Sequence, residues 1–448
     1  MIRWHPREHI ALLGYALRWL CLAAPVGLSV GSACALFLWT LDKATQTRIA
    51  HPNLLWGLPF AGVLIALLYE KWGRSAQGGN NLLLDEIHQP GGGIPRRMAP
   101  LILLTTVATH LFGGSAGREG TAVQMGGSIA AAIGRTLRLS AGETRTLLMC
   151  GIAAGFGGVF GTPLTGAVFA MEVLTLGRLS YESLIPCLIA AVVGDWACGA
   201  WGVHHTQYAI SPFAVPTLSG VAHFDWVLGG KVALAALLFG LTSVLFAELT
   251  HGVQCVAAKL KSPLLRPFVG GLCVIALVYL LGTRDYLGLG VSSPDASAVT
   301  ILSSFSRGGA DNFSWGWKLI FTAITLGSGF KGGEVTPLFF IGATLGNTLG
   351  RGLHAPVDLF AALGFVAVFA GATNTPIACT LMGIELFGAQ YSVYFMIACF
   401  LAYGFSGHSG IYSAQRIGTP KGALELPVEN PTLKSARAAR AVWSLFNR

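Results

Sequence analysis

Apolar residues in this chain are grouped in long blocks rather than scattered. Runs at 10–41, 54–69, 144–176, 184–201, 226–249, 267–281, 359–387 and 393–405 carry few charges. Several exceed the roughly 20 residues that cross a bilayer as a helix. A membrane β-barrel would instead show segments of about ten residues with alternating polarity, and these are absent. The pattern predicts an all-α polytopic membrane protein, an integral multi-pass chain whose helices are interrupted at glycines. The first run follows Arg3 and Arg7, as a signal peptide would, but it is far longer than a signal core. It reads as a retained first helix.

Composition agrees with this pattern. Hydrophobic residues make up 53% of the 448 positions and charged residues only 11%, where a soluble chain would be about a quarter charged. The net charge of +9 would suit a nucleic-acid partner if it lay on one face. Instead the positive residues flank apolar runs: Arg3 and Arg7, the loop from Arg135 to Arg145, then Lys434, Arg437, Arg440 and Arg448. By the positive-inside tendency both termini are expected in the cytoplasm, with a short basic tail and no nucleic-acid partner. The nine cysteines show no CxxC spacing, so buried free thiols are expected, with no metal or cofactor.

The chain resembles itself at a long offset. Gly117-Arg118-Glu119-Gly120-Thr121 returns as Gly332-Gly333-Glu334-Val335-Thr336, and Gly127 answers Gly342. Thr162-Pro163-Leu164 with Glu172 returns as Thr375-Pro376-Ile377 with Glu385, and Gly151 and Gly158 answer Gly364 and Gly371. Two glutamate-bearing blocks in the same order point to two repeats, about 1–215 and 216–448. Many transporters are built this way, with interrupted helices meeting at the midplane. The offsets leave the relative orientation of the halves open.

Candidate chemistry sits in the repeated blocks. Glu119 lies between glycines inside an apolar protein, where a carboxylate is costly and usually lines an ion or proton path. Ionised, it can occupy an anion site; protonated, it can vacate that site. The blander reading is a carboxylate satisfied by local N–H groups; pairing with Arg118 is disfavoured because adjacent helix residues do not face each other. Glu334 precedes the helix expected over 338–349 and has the same two readings. Helix starts at both glycine turns would aim several N–H donors at one small anion. Asn80, in Gly78-Gly79-Asn80-Asn81, supplies amide donors without a positive charge. Tyr412 closes the last apolar stretch, and Glu172 and Glu385 close long apolar helices, as structural partners of a polar residue or as caps.

Together these blocks resemble the CLC family of anion channels and anion/proton exchangers, from about Gly78 to Tyr412. Gly117-Arg118-Glu119-Gly120 is similar to the family's gating-glutamate motif, with Thr121 where most members have proline. Gly332-Gly333-Glu334-Val335-Thr336-Pro337 is similar to its second anion-binding loop, and the resemblance implies backbone donors from Glu334 and Val335. It also implies that Tyr412 meets the inner anion and that Asn80 stands where chloride-handling members carry serine. Gly91-Gly92-Gly93-Ile94-Pro95 looks like that serine loop but is too close to Glu119. Asn80, Thr121 and Glu334 resemble the fluoride/proton antiporter clade. Val173 stands where chloride exchangers carry a second proton-handling glutamate.

The resemblance implies a CLC-type fold of two inverted repeats and a homodimer in a plasma membrane, here a bacterial inner membrane, without CBS domains. Its expected function is the export of fluoride in exchange for protons, with a CLC-type chloride channel or chloride/proton exchanger as the alternative. Glu119 is the expected gate; Asn80, Gly117, Arg118, Gly120, Glu334, Val335 and Tyr412 form the anion site; Glu334, Asn80, Thr121 and Thr336 tune coupling or selectivity. A remote alternative from another class, an intramembrane serine protease, rests on Gly407-His408-Ser409-Gly410 alone, with no group evidently placed to activate Ser409.

Overall fold

The computed structural model describes residues 6–211, 217–218, 221–222, 224–422 and 430–438. Arg3, Arg440, Arg448 and the 215/216 boundary lie outside the described residues. In chain order the helices are α1 (Pro6–Ala50), α2 (Leu58–Lys71), α3 (Asn80–His88), α4 (Met98–Leu111), α5 (Glu119–Thr136), α6 (Ala141–Phe160), α7 (Pro163–Glu172) and α8 (Leu184–Ala200). They continue with α9 (Trp226–Ala258), α10 (Leu265–Leu281), α11 (Ser314–Gly327), α12 (Val335–Gly352), α13 (Val357–Thr373), α14 (Pro376–Phe387) and α15 (Ser392–Phe405). Large apolar side chains such as Leu12, Trp39, Phe60 and Leu280 are exposed, as on a lipid-facing surface. Among the described residues, four helical stretches are long and apolar enough to cross a membrane: His9–Ala50, Pro52–Lys71, Tyr181–Ala200 and Trp226–Ala258.

Two of the apolar runs are each broken into two helices. The run 144–176 splits between α6 and α7, where Gly161 takes a left-handed conformation (φ 72°) and Pro163 opens the next helix. The run 359–387 splits between α13 and α14 in the same way, at Asn374 (φ 59°) and Pro376. A left-handed cap followed by proline cannot continue a helix, because proline lacks the N–H and restricts the residue before it.

The broken ends are closed across the molecule. Glu172, ending α7, accepts from the N–H groups of Ile377 (3.1 Å) and Ala378 (2.8 Å) at the start of α14. Glu385, near the end of α14, accepts from Leu164 N (2.9 Å), Thr165 N (2.8 Å) and Thr165 Oγ1 (2.6 Å) at the start of α7. The two glutamates are thus reciprocal caps. Because hydrogen bonds to a charged group contribute about 1.5–3 kcal/mol each, Glu172→Ala is expected to destabilise the protein by about 3 kcal/mol. Thermal unfolding in detergent reads this, and an unchanged midpoint would contradict the capping role.

Helix contacts repeat as the caps do. α5 packs on α6 and α12 on α13, in each case backbone to backbone. A Cβ on Gly126 would lie 2.0 Å from Gly151 O, and one on Gly342 would lie 2.0 Å from Gly364 O. Small residues let membrane helices approach this closely. The packing counterpart of Gly342 is therefore Gly126, not the Gly127 expected from the offset, since Gly127 faces the Leu83 side chain. Stacked rings join the two sets of helices: Phe369 on α13 stacks on Phe156 of α6 and on Phe169 of α7.

Four expectations need correction. α12 begins at Val335, three residues before the expected start, because the preceding glycines free the chain to turn at Glu334. Residues 430–438 are not a free tail: Leu433 and Ala436 are buried, Leu433 N donates to Gln415 O, and Arg437 pairs with Glu248. Cys21, Cys255 and Cys273 are exposed, since an apolar thiol suits a lipid-facing position as well as a core. Arg118 does pair with Glu119, as described below.

Candidate functional site

The site is built where two helix starts meet. Gly117 N donates to Gly333 O (2.6 Å) and Gly333 N to Gly117 O (2.8 Å), an antiparallel bridge between the two glycine turns. α5 and α12 both begin within two residues of it. The first N–H groups of each helix have no partner inside that helix and carry partial positive charge, so the junction presents converging donors to anything anionic. No side chain fits there: a Cβ on Gly333 would lie 2.8 Å from Gly120 N and 3.2 Å from both Arg118 N and Glu119 N.

Glu119 occupies this junction. It is fully buried, and its carboxylate reaches across to the other turn. Thr336 Oγ1 donates to it at 2.6 Å, Thr336 N at 3.1 Å and Arg118 N at 3.1 Å. The Arg118 guanidinium adds a 3.4 Å ion pair. The neighbour rule that disfavours such a pair holds inside a helix; Arg118 is the residue before α5, with its own backbone direction. Every contact is a donor aimed at the carboxylate. Protonation converts one acceptor position into a donor and so weakens this seat.

The other expected residues divide into two groups. Asn80 opens α3 after Gly79, which has a left-handed φ of 56°. Its Nδ2 lies 3.1 Å from where a Gly120 Cβ would be, and its buried Oδ1 has no partner. Tyr412 is buried and within electrostatic reach of both Glu334 and Glu119. Val335 is buried at the first position of α12, while Glu334 is only partly buried. Thus Asn80, Gly117, Arg118, Glu119, Gly120, Glu334, Val335, Thr336 and Tyr412 surround one junction. Thr121 stands apart, its hydroxyl 2.8 Å from that of Thr106 on α4.

Structure also adds residues that the motifs did not single out. Asn81 Oδ1 accepts from Ala414 N at 2.9 Å, tying the asparagine turn to the Tyr412 segment. Tyr208, in the irregular stretch after α8, stacks on Phe305 and stands edge-on to Phe365, within electrostatic reach of Arg118 and Glu119. The doubled asparagine was a usable signal for Asn81; nothing in the polar loop around Tyr208 marked it. The Gly91–Gly93 turn is exposed and closes on Glu86, whose carboxylate accepts from all three N–H groups. Ser409 Oγ donates to Glu248, which is also held by Arg437, an arrangement without a histidine base between serine and acid.

A multi-span helical protein with two helix starts converging on a buried carboxylate belongs to the class of membrane proteins that move ions. The chain belongs to the voltage gated chloride channel (CLC) family, whose profile matches residues 61–407. A chloride/fluoride channel protein of Pseudomonas syringae pv. tomato is 48% identical over 439 residues, covering 96% of this chain and 93% of that one. The crystal structure of a CLC-type fluoride/proton antiporter superposes with a TM-score of 0.83 at 34% identity, covering 89% of this chain and 98% of that one. A slow cyanobacterial chloride/proton antiporter shares the fold, with a TM-score of 0.71 at 19% identity over 87% of this chain and 94% of that one.

Proposed function

We propose that the protein is a fluoride/proton antiporter that exports fluoride in exchange for protons, with Glu119 as its proton-binding gate. The observation that carries this reading is the Glu119 carboxylate seated on donors from both helix starts, Thr336 N and Arg118 N. A carboxylate oxygen there stands in for the transported anion. When Glu119 binds a proton it loses hold of these donors and leaves, and fluoride takes its place. Fluoride is small and strongly hydrated, so its lost water must be replaced by several hydrogen bonds. The Thr336 hydroxyl, the Asn80 amide, the Tyr412 phenol and the N–H groups around Gly117, Arg118, Gly120, Glu334 and Val335 are the available donors. The relative named a chloride/fluoride channel protein and the neighbour named a fluoride/proton antiporter favour this cargo.

Glu334 is then a second carboxylate that alters occupancy or coupling, and Thr121 acts from behind α5 by bracing it on α4. The reciprocal caps and paired glycine contacts support two repeats, about 1–215 and 216–448, in inverted orientation. A homodimer with a separate pathway in each subunit, in a bacterial inner membrane with both termini cytoplasmic, completes the proposal.

Fluoride and proton fluxes measured together on purified protein in liposomes test it. An outward fluoride gradient is expected to drive proton uptake, and chloride transport at an equal or greater rate would overturn the fluoride reading. Asn80→Ser tests selectivity: chloride flux relative to fluoride should rise several-fold. An unchanged ratio would remove Asn80 from the ion's path.

A further inference from the structure

A histidine lies against the gate turn and has no part in the mechanism so far. His110, near the end of α4, is fully buried, and its Nε2 lies 3.4 Å from the carbonyl oxygen of Gly117. That oxygen also accepts from Gly333 N at 2.8 Å, and a carbonyl has two lone pairs to offer. His110 therefore meets the same atom that joins the two glycine turns. The contact has a companion. Thr106, one turn earlier on α4, meets the Thr121 hydroxyl at 2.8 Å, four residues beyond Gly117. Residues four apart on a helix share a face, so α4 braces the start of α5 along one stripe.

The surroundings decide which ring nitrogen carries the hydrogen. A carbonyl oxygen only accepts, so Nε2 must be the N–H. The other nitrogen, Nδ1, is buried without a hydrogen-bond partner. It looks toward Gly288, where a Cβ would fall 3.7 Å from Nδ1 and 3.1 Å from Nη2 of Arg48. The loop that carries Gly288 is itself tied to the gate segment, since Gly288 N donates to Gly114 O at 3.2 Å. Lys318 on α11 holds the Gly288 carbonyl at 2.7 Å. Guanidinium and ammonium nitrogens are donors without a lone pair. A hydrogen on Nδ1 would place a second positive charge beside Arg48, away from water. Among the described residues His110 makes no hydrogen bond to a carboxylate that could offset it.

We propose that His110 is a positioning residue for the anion seat. As a neutral imidazole with its hydrogen on Nε2, it holds the Gly117 carbonyl in line with Gly333 N and keeps the two helix starts aimed at one point. This rests on reading the junction as the anion seat. His110 orients the turn, and the proton that crosses is carried at Glu119.

Nitrogen-15 NMR of histidine-labelled wild-type protein reads the ring directly. One histidine is expected to remain neutral with hydrogen on Nε2 from about pH 8 to about pH 5, a range that spans ordinary histidine titration. Its signal should vanish in His110→Gln. A wild-type spectrum without such a histidine overturns the assignment, with no variant needed and whatever the protein transports. In liposomes, His110→Leu should raise several-fold the fluoride concentration that half-saturates transport. His110→Gln, which returns an N–H donor to this place, should restore most of that affinity. Loss of folded protein alone would lower the maximal rate and leave half-saturation unchanged. That result, or a His110→Gln protein as impaired as His110→Leu, overturns the positioning role. Absence of fluoride-driven proton flux in the wild type would instead count against the antiporter reading and leave the NMR result standing.

Discussion

Glu119→Gln is expected to reduce fluoride-driven proton movement to the background of protein-free liposomes while fluoride continues to cross. An amide cannot titrate, so no proton can be carried at this position. The seat changes as well. Both Thr336 N and Arg118 N donate to the same carboxylate oxygen, and Thr336 Oγ1 lies within reach of both oxygens. A glutamine offers one acceptor oxygen and one NH₂ group, so a donor must face a donor on one side. The gate then has a weaker hold on the junction, and uncoupled fluoride flow follows. Simultaneous fluoride-electrode and pH recordings check both halves of the expectation. Proton pumping that persisted in this variant would remove Glu119 from the gate role.

Gly333→Ala is expected to have the next largest effect, a loss of most transport. The added Cβ would fall 2.8 Å from Gly120 N and 3.2 Å from two further backbone nitrogens of the α5 turn. None of these is the end of a flexible side chain, so the two helix starts must move apart. Overpacking of this kind costs about 1–3 kcal/mol. The same movement lengthens the Gly117–Gly333 bridge that aims the donors. Gly252→Ala is the control, because nothing lies within 4 Å of its added carbon. Flux at the wild-type level in Gly333→Ala, with folding intact, would show that the close approach is dispensable.

Much of this site was readable in the residues because its chemistry is local. Gly117 and Gly333 flank glutamates in matching blocks, and glycine at a crowded turn leaves the same mark wherever it occurs. Glu172 and Glu385 read as partners of a polar residue or as caps, and the structure shows caps, each on a helix that belongs to the other block. Thr121 and Thr336 occupy equivalent places in the two blocks, yet one hydroxyl turns to Thr106 and the other to Glu119. No periodicity distinguishes them. Tyr208 was missed because its role depends on an irregular segment that returns to the gate after α8.

The sequence by itself determined the class of the molecule: a helical chain for the bilayer, with broken helices and two glycine-framed carboxylates. Apolar run length and turn chemistry act over a few residues, so they are written locally. Only the tertiary structure decided which carboxylate seals the junction. Glu119 is buried and held across the interface by Thr336, whereas its counterpart Glu334 remains partly exposed. Helix packing likewise brought Asn80 against Gly120 and Asn81 to the backbone of Ala414. These contacts join segments far apart in the chain, and the fit of whole helices sets them rather than any short-range pattern.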